Sequence, residues 1–309
     1  MKSVEDCYKK VKSNCFKFIF SQETKENKFK NKERMLKKFL IPFCFWIESK
    51  VNKKKPFILG LAGGQGTGKT TVTSIVTIIL TKYFNLKVFK ISIDDFYKTR
   101  KERSALSKKI HPLLMTRGVP GTHDTNIISN FFKGVKKNKF TKISVPKFDK
   151  SVDDRFSKNK WYKVSSKPDV IILEGWCVGA RAQSISQIKK PINSLERTKD
   201  YDLKWRKFVN LKLQREYKTI FSQLNSLIYL KAKNFTILQQ WRIKQEKKLW
   251  LNSKKKKNLK IMSKGDVINF MQTYQRITQN MFKDAPKYAS IIFKLDSKHQ
   301  INSATYKKK

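Results

Sequence analysis

The sequence predicts an α/β protein with a mostly parallel sheet and helices on both of its faces. Short apolar runs, which are typical of buried strands, alternate along the chain with segments of helical period. A glycine-rich loop separates the first of these runs from the first strongly amphipathic segment. Alternating strands and helices favour parallel pairing, because each helix carries the chain back across the sheet before the next strand begins.

The individual elements follow from these patterns. Segments that are short and rich in branched or aromatic apolar residues are predicted as strands: 57–62, 86–93, 170–173, 226–230 and 289–295. Helices are predicted at 36–50, at 70–84, over most of 201–250 and at 263–281. The helix at 70–84 has one apolar face, formed by Val72, Ile75, Val76, Ile79 and Leu80. Consecutive lysines at 254–257 predict a charged, exposed loop.

The net charge of +47, from 70 basic and 23 acidic residues, raises the question of a nucleic-acid partner. Only 11 of the basic residues are arginine, although arginine is the side chain that stacks on bases and forks onto phosphate. The lysines are also scattered along the chain. We therefore interpret the charge as compositional and do not expect a nucleic-acid partner. Where arginine does occur, we expect a bidentate contact with a carboxylate or a phosphate.

Composition also limits the compartment. The longest apolar run, 39–47, is about half the ~20 residues that a membrane-spanning helix needs. The first 15 residues lack the apolar stretch of a secretory signal. The cysteines at 7, 15, 44 and 177 show neither metal-ligand spacing nor a disulfide framework. These features predict a cytoplasmic protein with ordinary thiols and no membrane partner.

The glycine-rich loop matches the pattern G-x-x-x-x-G-K-[ST] and lies between a predicted strand and a predicted helix. Glycines let the main-chain amides of such a loop turn around a phosphate, and the following helix N-terminus favours negative charge. Lys69 is expected to reach the β- and γ-phosphates of ATP, and the Thr70 hydroxyl to bind Mg²⁺. The predicted nucleotide-binding residues are Gly63, Gly64, Gln65, Gly66, Thr67, Gly68, Lys69, Thr70 and Thr71.

Carboxylates follow two further predicted strands. Asp94 and Asp95 come after the strand at 86–93, and Glu174 comes after the strand at 170–173. The carboxyl ends of parallel strands form the ligand-binding edge of an open α/β sheet. Asp94, and less clearly Asp95, could accept a proton from an attacking hydroxyl or hold Mg²⁺, while Glu174 is expected to be a magnesium partner. Each of these acids could instead cap a helix.

Other nucleotide-binding classes fit less well. The sequence has no Asn-Lys-x-Asp motif of the kind that reads the base in GTPases. It also lacks the Leu-Ser-Gly-Gly-Gln signature of transporter ATPases.

Several segments together resemble the P-loop kinases that include uridine kinase, phosphoribulokinase and pantothenate kinase, and most closely D-glycerate 3-kinase of the plant and cyanobacterial type. The segments are GLAGGQGTGKTT (60–71), SIDDFYKTR (92–100), HPLLMTRGVPGTHD (111–124), PKFDKS (146–151), ILEGWCVG (172–179), WRIKQEKKL (241–249) and MSKGDVINFMQTYQRIT (262–278). The resemblance implies the three-layer P-loop kinase fold and transfer of the ATP γ-phosphate to D-glycerate with Mg²⁺. Asp94 then takes the place of the family's candidate base.

The resemblance also implies a division of the chain. Residues 1–55 are predicted as a basic N-terminal helical arm and 56–309 as the P-loop kinase domain. Within that domain, loops around the acceptor substrate are expected at about 97–165, and a helical lid region at about 180–265. The chain departs from the pattern at one place: Val152 and Asp153 replace a longer glycine-rich stretch. If that stretch contacts the acceptor, the substrate could differ.

A small acceptor with a carboxylate requires fixed cations. The acceptor candidates are Arg117, His123, Lys147, Asp149, Lys150 and Arg155. Arg117 is favoured, because its fork matches a carboxylate. Asp149 could orient Lys150 or Arg155. For His123, binding the acceptor and completing a turn with Asp124 are equally favoured alternatives. Arg242 is expected on a lid over the phosphates, or else in an i,i+4 pair with Glu246.

Two alternative functions remain open from the sequence. A nucleoside kinase similar to uridine kinase would need an aromatic stacking slot, which Phe96 and Tyr97 could supply. A basic ATPase that binds nucleic acid would use the net charge of +47.

Overall fold

The computed structural model describes residues 2–24, 28–52, 54–253 (with side chains to residue 247) and 262–307. The strands are β1 (Phe57–Gly63), β2 (Val88–Ser92), β3 (Ile143–Val145), β4 (Phe148–Asp149), β5 (Asp154–Arg155), β6 (Tyr162–Val164), β7 (Val170–Gly175), β8 (Ser226–Lys231), β9 (Ile291–Leu295) and β10 (Ile301–Tyr306). Six of them form one sheet in the order β10-β9-β8-β1-β7-β2. All neighbours in it pair in parallel except β10, which runs antiparallel to β9.

Helices connect and cover the strands. They are α1 (Val4–Gln22), α2 (Lys32–Met35), α3 (Ile41–Glu48), α4 (Lys69–Lys82), α5 (Arg100–Lys109), α6 (Thr125–Lys136), α7 (Ile185–Lys189), α8 (Ser194–Lys199), α9 (Lys204–Lys212), α10 (Lys218–Phe221), α11 (Phe235–Ser253) and α12 (Lys264–Tyr288). Single 3-10 turns lie at Ile93–Phe96, Pro112–Met115 and Lys158–Lys160, and π-helical turns at Leu36–Leu40 and Leu213–Tyr217.

The sheet separates two hydrophobic cores, as the alternation of side chains along a strand requires. On β1, Leu59 and Leu61 face the core under α4, while Ile58 and Ala62 face the core that contains α6 and α9. β1 is buried along its whole length, which is why it reads as a continuous apolar run in the sequence. The predicted three-layer α/β fold with a mostly parallel sheet is confirmed.

The N-terminal segment lies on one of these cores. Helix α1 begins at a Ser3 cap, and Cys7, Val11, Cys15 and Ile19 on one side of it are fully buried in the core under α4. Within the segment 1–55, predicted as a basic helical arm, helix is present at Val4–Gln22 and from Lys32 to Glu48, and the remaining described residues are turns and irregular structure. The segment's apolar side is continuous with the core of the sheet, and its charged side faces solvent.

The predicted strands at 57–62, 86–93, 170–173, 226–230 and 289–295 are all present, with ends shifted by a few residues. The sequence analysis missed β10 and the small pairs β3–β6 and β4–β5. These strands are short or lie at edges, so they carry no continuous apolar run. The lysine loop at 254–257 lies outside the described residues.

The cysteines and the apolar content of the helices were also considered in the sequence. All four cysteines are free and buried. In the described part of the chain, no helix has both the length and the apolar content needed to cross a bilayer.

Replacing Ile19 by alanine tests whether α1 belongs to the folded core. We expect Ile19→Ala to lower the free energy of unfolding by about 2–5 kcal/mol, because it opens a cavity at a fully buried position. Urea denaturation followed by circular dichroism measures this change. Lys17→Ala, on the exposed side of the same helix, is the matched control and should change stability by less than about 0.5 kcal/mol. Equal, small effects of both variants would contradict the packing.

Candidate active site

The glycine-rich loop forms a phosphate cradle between β1 and α4. Gly66 and Gly68 have φ values of 79° and 80°, a left-handed conformation that favours glycine. The Thr67 hydroxyl donates a hydrogen bond to the Gly64 carbonyl at 2.9 Å, and this bond braces the turn. Helix α4 begins at Lys69, directly after the loop, so its free amides face the same space as the loop. The loop conformation and the position of the helix N-terminus are therefore those that the motif predicts.

Lys69 lies partly buried at the base of this cradle. Its ammonium donates hydrogen bonds to the carbonyls of Gly63 at 2.8 Å and Gly64 at 3.0 Å. Burial lowers the pKa of Lys69, and the negative charges of Glu174 and Asp94 oppose that effect. Lys69 and both predicted acids therefore lie within electrostatic reach of one another.

Glu174 connects the cradle to β7. The Thr70 hydroxyl donates to Glu174 Oε1 at 2.8 Å, and the Thr73 hydroxyl donates to Oε2, also at 2.8 Å. Glu174 is buried and pairs in register with Leu61 of β1, which brings it to the strand ends beside the loop. A hydroxyl and a carboxylate are hard oxygen ligands of the kind that Mg²⁺ prefers. Thr70 and Glu174, the two expected magnesium partners, therefore lie within hydrogen-bond distance of each other.

Asp94 stands at the end of β2, in a 3-10 turn capped by Ser92. Its Oδ1 accepts a hydrogen bond from the Tyr97 hydroxyl at 3.0 Å, and its Oδ2 pairs with the Lys150 ammonium at 2.7 Å. Burial raises the pKa of Asp94, but the charge of Lys150 and the hydrogen bonds from Lys150 and Tyr97 outweigh it. The pKa consequently lies below its ordinary value, so the group is a carboxylate at neutral pH.

Asp95 differs from its neighbour in both contacts and charge. Its Oδ1 accepts a hydrogen bond from the Phe148 amide at 3.3 Å, which ties the turn after β2 to β4. Burial raises the pKa of Asp95 to about 6, and the nearby negative charge of Asp94 adds to this. Asp95 is thus tied to β4, whereas Asp94 contacts Tyr97 and Lys150.

His123 is buried beside the turn that carries Asp94. Its ring stacks on that of Tyr97, with centroids 4.4 Å apart and an interplanar angle of 19°. Its Nδ1 is hydrogen-bonded to the Tyr217 hydroxyl at 2.6 Å, and a β-bridge joins its backbone to that of Tyr97. Asp124, the predicted turn partner, instead caps helix α6.

Arg117 is paired with an acid of this chain. Its guanidinium forms an ion pair with Asp153 and lies over the Phe148 ring, 5.4 Å from the centroid. Asp153 also pairs with Arg103 at 3.0 Å, and its backbone is left-handed with a φ of 58°. The shortened stretch noted in the sequence therefore supplies the carboxylate that holds Arg117 in place.

The other predicted acceptor residues are engaged within their own loops. The Lys147 ammonium lies over the Phe156 and Tyr162 rings, at 5.2 and 5.7 Å. Asp149 accepts hydrogen bonds from the Ser151 amide and hydroxyl, rather than orienting Lys150 or Arg155.

Arg155 binds the Tyr97 carbonyl at 2.8 Å and lies 3.6 Å from Asp124. Arg155 thereby connects β5 to the turn after Asp94. The contacts described for its guanidinium are with other residues of the protein, and the role predicted for it in acceptor binding stays a prediction.

Helix α11 lies against the outer side of the cradle. A Cβ added at Gly66 would stand 3.0 Å from Trp241 Cβ and 3.7 Å from the Arg242 amide nitrogen. Arg242 forms the i,i+4 pair with Glu246 that the sequence offered as one of two possibilities. The backbone of Arg242 lies next to Gly66, so the ion pair with Glu246 forms beside the phosphate loop.

Sequence reasoning missed several residues of the site. Arg103 is fully buried, and its guanidinium donates hydrogen bonds to the carbonyls of Met115 at 2.7 Å and Asp153 at 2.6 Å. His299, in the turn between β9 and β10, stacks on Trp241 at 3.9 Å and hydrogen-bonds the Gly66 carbonyl through Nε2. The scarcity of arginine was a usable signal for Arg103, whereas His299 is 233 residues from Gly66 and left no local signal.

Comparison with known proteins gives relatives over most of the chain. A scan against models of protein families finds no match. The uncharacterized kinase mug58 of Schizosaccharomyces pombe is 33% identical over 256 residues, which cover 80% of this chain and 85% of that protein. The chloroplastic D-glycerate 3-kinase of Arabidopsis thaliana is 27% identical over 226 residues, 67% of this chain and 47% of the plant protein.

Among solved structures, D-glycerate 3-kinase from Cryptococcus neoformans superposes with a TM-score of 0.69. The superposition covers 87% of this chain and 97% of the fungal one, at 23% sequence identity. At that identity, the likeness supports the fold.

Asp95→Asn tests what it costs the fold to ionise the Asp95 side chain. The pKa of Asp95, about 6, lies above the ordinary 3.8, so the protonated acid is favoured in the folded state. Its contribution to stability is present at low pH and is lost as the pH rises through 6. We expect Asp95→Asn to raise the free energy of unfolding at pH 8 by about 1–2 kcal/mol, since asparagine keeps the acceptor for Phe148. Urea titrations should show this gain vanishing below about pH 4. A gain of equal size at both pH values would refute the assignment.

His299→Ala tests the contact between the β9–β10 turn and the phosphate loop. Loss of one hydrogen bond to Gly66, worth about 1 kcal/mol, should weaken binding of a non-hydrolysable ATP analogue about fivefold. Calorimetric titration measures the dissociation constant. Lys298→Ala, an exposed neighbour in the same turn, should bind the analogue like the unmodified protein. Unchanged affinity in His299→Ala would show that the turn does not support the loop.

Proposed function

This chain belongs to the family of P-loop kinases and is a phosphotransferase with an alcohol acceptor, and on that premise we propose that it transfers the γ-phosphate of ATP to D-glycerate. The observation that carries the proposal is the position of Asp94. Its charge acts on Lys69 in the phosphate cradle, and its carboxylate is paired with an exposed cation, Lys150, on the acceptor side. A nucleotide and a small anionic alcohol would meet at that carboxylate.

The nucleotide side of the proposal uses the cradle. The amides of the Gly63–Gly68 loop and the Lys69 ammonium would bind the β- and γ-phosphates of ATP. Thr70 and Glu174 would hold Mg²⁺, since together they offer a hydroxyl and a carboxylate 2.8 Å apart at the end of β7. Bound there, the metal ion would neutralise charge on the phosphate oxygens. Arg242 would add a positive charge from the side of α11.

In the transfer step, a hydroxyl oxygen of the acceptor forms a bond to the γ-phosphorus. The bond from that phosphorus to the β,γ-bridging oxygen breaks, and ADP leaves. Asp94 accepts the proton of the attacking hydroxyl, which its ionised state at neutral pH permits. The Tyr97 hydroxyl and the Lys150 ammonium hold the carboxylate in one orientation before the acceptor arrives.

A carboxylate on the acceptor fits the charge of the loop side. Lys150 is 60% exposed and bound through a single hydrogen bond, so its ammonium can turn from Asp94 towards an incoming anion. Arg117 is 28% exposed and stands in the same group of loops, although it shares its charge with Asp153. Lys147, Asp149 and Arg155 would support these loops rather than touch the acceptor.

A nucleoside acceptor is favoured less. The slot proposed for base stacking would need open faces on Phe96 and Tyr97. Phe96 is fully buried, and Tyr97 is 3% exposed. One face of Tyr97 is covered by His123, and its edge meets the Phe148 ring at 5.3 Å. A base would have to displace these contacts.

An ADP-release assay over a panel of hydroxy acids and nucleosides tests the acceptor. We expect D-glycerate with ATP and Mg²⁺ to stimulate ADP release, and nucleosides to leave it at the background rate. Nucleic acid added at physiological salt should have no effect on turnover. Stimulation by a nucleoside, or by no hydroxy acid at all, would reject D-glycerate as the substrate.

Asp94→Asn tests the proposed base. The variant keeps the size of the side chain but replaces the carboxylate by a neutral amide, which cannot accept the proton of the hydroxyl. We therefore expect kcat to fall about 10²- to 10⁴-fold, while the KM for ATP changes little. Asp284→Asn, at a surface pair with Lys287 on α12, is the control and should keep full activity. Steady-state kinetics with both substrates separates the two constants. Retained turnover in Asp94→Asn would remove this carboxylate from the mechanism.

A further inference from the structure

His123 carries a buried nitrogen that the fold leaves without a partner. The residue is 1% exposed, and within the described part of the chain no group lies within hydrogen-bond distance of its Nε2. The other ring nitrogen, Nδ1, is bound to the Tyr217 hydroxyl at 2.6 Å. Buried polar atoms are seldom left unpaired, and each one that is calls for an explanation, such as a catalytic role or a bound water or ion.

The neighbours of His123 determine which nitrogen carries the proton. The Tyr217 oxygen already accepts a hydrogen bond from the Gly121 amide at 3.0 Å. Its own proton then has one described acceptor, which is Nδ1 of His123. If Nδ1 carried a proton instead, the Tyr217 hydroxyl would be a buried donor without an acceptor. The arrangement that satisfies all three groups leaves Nδ1 as the acceptor and places the ring proton on Nε2.

The imidazole is also neutral. Burial lowers the pKa of His123 to about 4, and the nearby charge of Asp94 opposes this only in part. Burial raises the pKa of Tyr217 well above its ordinary value, so its hydroxyl keeps the proton that it donates. At neutral pH, His123 is therefore an uncharged ring with one unused N–H donor.

The ring is fixed behind Asp94, the proposed base. It stacks on Tyr97, whose hydroxyl binds the Asp94 carboxylate. A neutral donor suits an uncharged oxygen, while the cations Lys150 and Arg117 suit a carboxylate. The two kinds of group on this side of Asp94 therefore match two different parts of a hydroxy acid.

We propose that the Nε2–H of His123 donates a hydrogen bond to the non-reacting hydroxyl of the acceptor and thereby selects 2-hydroxy acids over their deoxy analogues. This inference rests on the proposed function and adds a specificity-determining contact to it. Tyr217 acts through His123 as a positioning residue, because it keeps the proton on Nε2, the nitrogen that has no partner in the described structure. If the phosphate goes to the 3-hydroxyl of D-glycerate, the recognised group is the 2-hydroxyl.

The kinetic test compares D-glycerate with 3-hydroxypropionate, which lacks the 2-hydroxyl. The unmodified protein should prefer D-glycerate in kcat/KM. His123→Phe keeps the ring stack on Tyr97 but has no donor, so it should lose at least about tenfold in kcat/KM for D-glycerate and change little towards 3-hydroxypropionate. The KM for ATP should stay constant. His123→Gln, whose amide can reach the position of Nε2, should restore part of the preference.

Two results would overturn the inference. One is an equal loss of activity towards both acceptors in His123→Phe, which would indicate a purely structural role. The other is an unchanged preference for D-glycerate. If the unmodified protein phosphorylates neither acid, the proposed function itself fails, and this outcome differs from either change in preference.

A measurement on the free protein tests the donor independently of turnover. The chain has three histidines, so ¹⁵N spectra of the imidazoles can be assigned with His123→Phe as the blank. We expect His123 to be neutral at pH 7 with its proton on Nε2. In Tyr217→Phe, the fixed tautomer and the preference for D-glycerate should both be lost. A proton on Nδ1, or an imidazolium at pH 7, would overturn the inference whichever acceptor the enzyme uses.

Discussion

The site depends on the register of the parallel strands β1, β7 and β2. Leu61 pairs with Glu174, and Glu174 pairs with Ser92, so the three strands end at one level of the sheet. A slip of one residue would turn each of these side chains to the opposite face. In the observed register, Glu174 reaches the threonines of α4, and Asp94 emerges two residues beyond Ser92, within reach of Lys69. Main-chain pairing in the sheet therefore sets the positions of the charged groups.

Buried ion pairs fix the parts of the chain that the sheet does not reach. Arg103 joins the loops at Met115 and Asp153 through their main-chain carbonyls and the Asp153 carboxylate. Around helix α8, Arg206 binds Asp200 at 2.6 Å, and Arg276 binds Glu196 at 2.6 Å, with all four side chains nearly or fully buried. Burying such charges is costly unless the hydrogen bonds are satisfied. These ion pairs therefore favour the observed arrangement of the loops, because few other arrangements would satisfy the hydrogen bonds of the buried charges.

The phosphate cradle and the proposed acceptor pocket are held by different elements. The cradle is braced from behind by Trp241 of α11 and by His299 of the last turn. The pocket is organised by rings, with His123 between Tyr97 and Tyr217. Asp94 lies beside both regions: its carboxylate contacts the Tyr97 hydroxyl and the Lys150 ammonium on the proposed acceptor side, and its charge acts on Lys69 of the cradle.

The sequence by itself determined the fold class, the five parallel strands, the phosphate loop and the acids at the strand ends. These features arise from local periodicity and from residue types that one short segment must supply. Only the tertiary structure decided that Arg117 pairs with Asp153, that Arg155 binds the Tyr97 carbonyl, and that His299 meets Gly66. Such contacts join segments far apart in the chain, and in a lysine-rich sequence many cations have the same local pattern. Which of them is buried and paired depends on how the loops pack together, and local sequence does not encode that packing.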